Sequence, residues 1–256
     1  MSAFKGLYIK DLKLSLATFL IGIILLNLLT LGSLWLKEYL DEPMIPAVLF
    51  FLATVAHVLY LPGIVFTSLQ IEGQSQLWLH SPNRGWKLFL SKILAGATYF
   101  VVSIFFTILL AKLAMNGVDV SNNFVGFSEI VKENLFIMGG GIAAISIYLS
   151  VWVLFYWAVY HSLKVIPFLN QFRRLAVLVL WILITAIGDW ILDTPVVEVI
   201  QEKGRLNINF FAANFGENTI SAEMAYIDVG TIIMYLIVTI GVFLTAVWLL
   251  ERKVEV

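Results

Sequence analysis

Three histidines, His57, His80 and His161, are the imidazoles of this 256-residue chain, and cysteine is absent. Without thiolates there is no disulfide and no thiolate nucleophile or metal ligand. The histidines are dispersed, and neither H-E-x-x-H nor G-x-S-x-G occurs. No G-x-x-x-x-G-K-[ST] loop is present to cradle nucleotide phosphates. What remains is a set of polar groups stranded in apolar runs: Asn27, His57 and Asp189. One dense polar stretch joins them, Gln70–Lys92, reading QIEGQSQLWLHSPNRGWKLFLSK. An intramembrane ionisable group marks a pathway more often than chance allows. A buried imidazole or amide more often completes a hydrogen bond between helices.

The elements that position these residues follow from composition. Hydrophobic residues make up 61% of the chain, charged residues 13%, and the mean hydropathy is +0.94. Soluble domains are about half apolar and about a quarter charged, so the chain reads as an integral membrane protein. A net charge of −1 gives no reason to expect a nucleic-acid partner. A spanning helix needs about 20 mostly apolar residues. Six segments qualify: Leu14–Leu36, Met44–Leu69, Trp86–Ala114, Leu135–Tyr160, Leu175–Leu192 and Val229–Leu250. The expected fold class is an all-α membrane protein, one transmembrane domain over residues 1–256, with both termini on one side. Of the 16 Lys and Arg residues, 11 fall on the side of the N-terminus and 5 on the other. The positive-inside rule therefore makes both termini cytoplasmic.

Before the first span, Phe4, Leu7, Tyr8 and Leu12 recur at helical spacing, and Lys5, Lys10 and Lys13 can reach lipid phosphates. This predicts an interfacial amphipathic helix, with a basic disordered lead as the plainer alternative. Asn27 is expected to bond across helices. The Pro62–Gly63 pair predicts a kink in span two. Gly139–Gly141 predicts close helix packing or a hinge in span four. Trp152, Phe155, Tyr156, Trp157 and Tyr160 form an aromatic belt. Asp189 lies at the end of span five, where it would cap, pair or face water. Residues 194–228 are too apolar for a plain linker and are expected to pack on the outer mouth, with short helices among them.

Within the polar stretch, Ile71–Leu79 can make two helical turns with Ile71, Gln74 and Trp78 on one side, and Ser81-Pro82-Asn83 stops it. An ordinary returning loop with positive flanks is the alternative. The order of an acid-containing segment, then Leu77-Trp78-Leu79-x-Ser81-Pro82, then Arg84 and Lys92 opening span three, resembles the permease subunits of ABC-2-type exporters. Glu72, Gln76, Trp78, Leu79, Pro82 and Lys92 match that family's pattern. The opening Phe4–Lys13 resembles its amphipathic connecting helix. In architecture the resemblance covers the whole chain; in motif it covers these two stretches.

The resemblance implies a cytoplasmic coupling helix between spans two and three that docks on a separate ABC ATPase subunit. Ile71, Glu72, Gln74, Gln76, Trp78, Leu79, His80 and Pro82 would make that contact, and residues His161–Arg174 a secondary one. It also implies a second permease subunit, like or unlike, in a bacterial cell membrane. ATP and magnesium would sit on the partner, with no cofactor and no catalytic residue on this chain. The cargo would be amphipathic or apolar, exported as a peptide, antibiotic or lipid-like molecule. An ATP-independent secondary carrier, or a structural or sensory subunit of a membrane complex, is the alternative.

Overall fold

A computed structural model describes residues 3–42, 45–75, 83–114, 125–215 and 220–252. Its helices are α1 (Ala3–Leu40), α2 (Ile45–Ala56), α3 (Tyr60–Ser75), α4 (Gly85–Ala114), α5 (Val125–Ser162), α6 (Pro167–Asn170), α7 (Arg173–Leu192), α8 (Pro195–Gly204) and α9 (Val229–Arg252). One antiparallel hairpin, β1 (Arg205–Phe215) and β2 (Ile220–Asp228), precedes α9. Six helical stretches are long and apolar enough to cross a membrane: Ala3–Leu40, Ile45–Gln74, Gly85–Ala114, Gly139–Ser162, Arg173–Leu192 and Val229–Arg252. They coincide with the six expected spans, as befits a multi-pass membrane protein.

The N-terminal helix of the sequence reading does not stand apart. The N-terminal amphipathic segment runs without a break into the first span as one 38-residue helix. No proline or cap signal interrupts residues 3–40, so the propagating helix simply continues. Ile71–Ser75, the opening of the expected coupling helix, are the last residues of α3. Residues 76–82, with Gln76, Trp78, Leu79, His80 and Pro82, lie outside the described residues.

Span two is interrupted where proline chemistry requires it. Pro62 offers no N–H to the carbonyl four residues back, and its ring crowds that carbonyl. The chain answers with a 3₁₀ turn at His57–Leu59, in which the Tyr60 N–H bonds the His57 carbonyl. The Gly139–Gly141 run corrects the sequence expectation. The helix is unbroken there, and a Cβ at any of the three would meet nothing within 4 Å. Helix α5 also begins at Val125, ten residues before the expected span, so part of the link between the third and fourth expected spans is helical.

The chain divides into two compact units. In the first, α4 is the central helix. Phe89, Lys92, Gly96, Phe100, Ser103 and Thr107 are buried at helical spacing along one stripe. The stripe receives α1, α2 and α3, and Tyr99 stacks on Phe19 with centroids 4.5 Å apart. Small residues let backbones approach: a Cβ on Gly96 would come 3.0 Å from Leu61 Cδ1. Middle residues Met138–Leu154 of α5 belong to this unit.

In the second unit, α8 packs beside the start of α9. Asp228 caps α9, accepting from the Thr231 N–H at 3.1 Å and from the Thr231 hydroxyl at 2.5 Å. A Cβ on Gly230 would lie 2.6 Å from the Ile200 carbonyl oxygen, so only glycine fits this crossing. The short helix α8 agrees with the expectation for residues 194–228. The hairpin was not foreseen. Its ladder runs Arg205↔Asp228 to Phe215↔Ile220 with an irregularity between Asn207 and Phe210.

Candidate functional site

Two polar clusters sit inside the first unit. The larger joins the starts of α1 and α4 to the end of α3. Glu72 and Ser68, one helical turn apart, project from α3 toward Lys92 of α4. The Lys92 ammonium donates to Glu72 Oε2 at 2.5 Å, Ser68 Oγ at 3.0 Å and Asp11 Oδ1 at 3.2 Å. All three of its donors are thereby used. The other Asp11 oxygen accepts from the Ser91 hydroxyl. Lys10 reaches Glu72 Oε1 and lies 3.6 Å from Asp11. Side-chain exposure is 1% for Lys92, 1% for Asp11 and 9% for Glu72, against 43% for Lys10.

A buried charge is costly unless paired and hydrogen-bonded. Here two carboxylates meet two ammoniums and two hydroxyls, and every charge has an opposite partner. The arrangement is a joint rather than a catalytic pair, because both carboxylates are already committed to cations. It fixes Glu72 to two other helices immediately before the segment 76–82. Along the same turns Ile71 and Gln74 are exposed.

The second cluster surrounds His57, which is 5% exposed. Its Nδ1 lies 2.7 Å from the Ala53 carbonyl oxygen, which can only accept, so Nδ1 carries a proton. Nε2 then faces the Ser103 hydroxyl at 3.1 Å, with Thr107 Oγ1 at 3.3 Å. Thr107 also donates to the Ser103 carbonyl at 3.0 Å. Ser146 of α5 donates to the His57 carbonyl at 3.4 Å, and the Tyr60 ring stacks on the imidazole at 5.5 Å. Hydroxyls surround this ring, and no acid among the described residues touches it. The cluster stitches α2, α4 and α5 together.

The remaining sequence candidates fall apart. Asn27 is exposed and donates to the Ile23 carbonyl of its own helix at 2.8 Å, not across helices as expected. Asp189 is exposed in the last turn of α7 and forms no ion pair among the described residues. Of the coupling set, the structure places Ile71, Glu72 and Gln74. It turns Glu72 inward, whereas Ile71 and Gln74 face out. Asp11, Lys10, Ser68 and Ser91 were missed as a site. The available signal was Asp11 and Lys92 sitting at or beside apolar runs, where an ionisable group needs a partner.

In comparisons with known proteins, no family model matches, and no solved structure matches. The uncharacterized protein YhcE of Bacillus subtilis (strain 168) is 30% identical over 274 residues, covering 100% of each chain. End-to-end similarity at this level means that the chain belongs to the same family as YhcE.

Proposed function

We propose that this chain is the membrane-spanning permease subunit of an ATP-driven exporter in a bacterial cell membrane, with both termini cytoplasmic. The observation that carries the reading is the Lys92 joint. A push delivered to residues 76–82 by a separate ATPase subunit reaches Glu72 first. Glu72 is bonded to α4 through Lys92 and to α1 through Lys10, so the push is shared by three helices at once. Exposed Ile71 and Gln74 supply the start of the docking face, and Gln76, Trp78, Leu79, His80 and Pro82 its continuation. ATP and magnesium act on the partner; this chain moves an amphipathic or apolar cargo together with a second permease subunit. The His57 cluster gives the ATP-independent carrier no comparable support, because its hydroxyl partners bring no charge to exchange with an ion.

The test is affinity purification of the tagged full-length chain from its native membrane in mild detergent. A stoichiometric ABC ATPase is expected in the eluate, and Trp78→Ala with Leu79→Ala should remove it while the chain itself stays folded. Transport by purified vesicles that needs no nucleotide and follows a proton gradient would overturn the reading.

A further inference from the structure

Between the end of α5 and the turn that joins α6 to α7 lies an open cavity of about 410 Å³. The volume falls within the ~300–1,000 Å³ of sites that hold a discrete ligand. Arg173 and Arg174 line it, together with Tyr160, Gln171, Phe172 and Leu175. Arg173 is set in place. Its Nε donates to the Asn170 carbonyl at 3.0 Å, and its guanidinium lies over the Tyr160 ring, 4.8 Å from the centroid. The four terminal N–H groups of the fork are left for a ligand. Arg174 is exposed, and its side chain bonds nothing among the described residues.

Neither guanidinium meets a carboxylate among the described residues, whose ion pairs involve only Lys10, Asp11, Glu72 and Lys92. The cause is in the sequence. Residues 134–188 contain no Asp or Glu, and they cover most of α5, all of α6 and α7 as far as its last turn. Two adjacent guanidiniums with no acid to answer them attract an anion, and their planar forks match the oxygens of a phosphate.

The surroundings select among phosphates. Leu175 lines the cavity and opens a stripe, Leu175, Leu178, Val179 and Ile182, spaced i, i+3, i+4 and i+7 along α7. All four are exposed, and no residue of α7 is buried. Hydrocarbon attached to the phosphate therefore has a continuous surface to follow from the arginines into the apolar span. An acidic protein surface would meet the arginines but not the stripe. Exposed Phe168 and Phe172, with centroids 6.4 Å apart, give the α6 turn an apolar surface suited to the same interface. A phosphocholine headgroup carries its own cation, which two guanidiniums repel.

We propose that this cavity binds the headgroup phosphate of one anionic phospholipid, held by Arg173 and Arg174, with an acyl chain along residues 175–182. The proposed orientation puts this end of α7 at the cytoplasmic leaflet, which carries anionic lipid. Such a lipid would tie the α5–α7 link to that leaflet. The site rests on the chain spanning a membrane and not on export.

The experiment uses the purified full-length chain in mild detergent, exchanged into dioleoyl phosphatidylglycerol or dioleoyl phosphatidylcholine and read by native mass spectrometry. One retained phosphatidylglycerol per chain is expected, with clear preference over phosphatidylcholine. Arg174→Gln should cut that preference roughly fivefold, the worth of one interfacial cation. Arg252→Gln, in the last turn of α9 and outside the cavity lining, should leave it unchanged. Gln171→Trp should fill the cavity and abolish the preference. Should that variant fail to fold, Arg174→Glu, at an exposed position without a described partner, serves instead. Millimolar inorganic phosphate should not displace the lipid, because it brings no hydrocarbon to the stripe. Equal retention of the two lipids, an Arg252→Gln loss as large as that of Arg174→Gln, undiminished preference in Gln171→Trp or Arg174→Glu, or displacement by phosphate alone would each overturn the site. Loss of a co-purifying protein from Arg174→Glu with lipid retention unchanged would overturn it too, and would assign the arginines to that protein.

Discussion

Replacing Lys92 by methionine keeps the length of the side chain and removes its charge. Asp11 and Glu72, exposed by only 1% and 9%, would then face each other across the space the ammonium filled. Removing one partner of a buried ion pair costs about 3–5 kcal/mol. Lys10 still touches both acids, but at 43% exposure it behaves as a surface partner worth about 0–1 kcal/mol. The net loss for Lys92→Met is therefore about 3 kcal/mol, at the lower end of the buried-pair range. A triple variant, Lys92→Met with Asp11→Asn and Glu72→Gln, leaves no uncompensated buried charge and should return to within about 1 kcal/mol of the parent. The eight tryptophans allow unfolding in mixed micelles of mild detergent and dodecyl sulfate to be followed by intrinsic fluorescence. A single variant as stable as the parent would refute the reasoning, and so would a triple variant no better than the single one.

Four further outcomes are expected. Gly230→Ala forces a methyl to within 2.6 Å of the Ile200 carbonyl oxygen and should destabilise the α8–α9 crossing by at least about 1–3 kcal/mol in the same unfolding assay. His57→Leu strands the Ala53 carbonyl and the Ser103 hydroxyl and should cost about 1–3 kcal/mol, with His57→Gln recovering part of it. Asn27→Leu loses one bond within its own helix at an exposed position, so its unfolding should stay within about 0.5 kcal/mol of the parent. Because the chain is free of cysteine, Gln74→Cys and Glu38→Cys give single labelling sites. In intact cells a membrane-impermeant maleimide should modify the second and not the first, and the reverse would invert the proposed orientation.

The spans were legible because bilayer length and hydropathy act residue by residue, and a run such as Val229–Leu250 needs no partner to declare itself. The helix interruption in span two was legible for a similarly local reason, the missing N–H of Pro62. The Lys92 joint was not. Asp11, Glu72 and Lys92 stand 61 and 20 positions apart in sequence, so only the packing of α1, α3 and α4 makes them neighbours. Lys92 read locally as one of several cations at a span end, and Glu72 as part of an outward face. The hairpin left a signal that was passed over: Leu206-Asn207-Ile208-Asn209-Phe210 alternates apolar and polar with the period of two that a strand requires. Asn27 erred the other way, since a helix can satisfy an amide within its own turn as readily as across to a neighbour.

Helix α1 is 38 residues long, hence about 57 Å at 1.5 Å per residue, whereas the hydrocarbon of a bilayer is about 30 Å thick. An unbroken rod of that length must lean or protrude. With no flexible elbow between residues 3–13 and the apolar stretch beyond, any lean of the latter sweeps the former through an arc. Thinner or thicker lipid would thus be felt at Lys10 and Asp11 as a sideways displacement. Bilayer composition becomes a mechanical input to the same three-helix knot that holds Lys92.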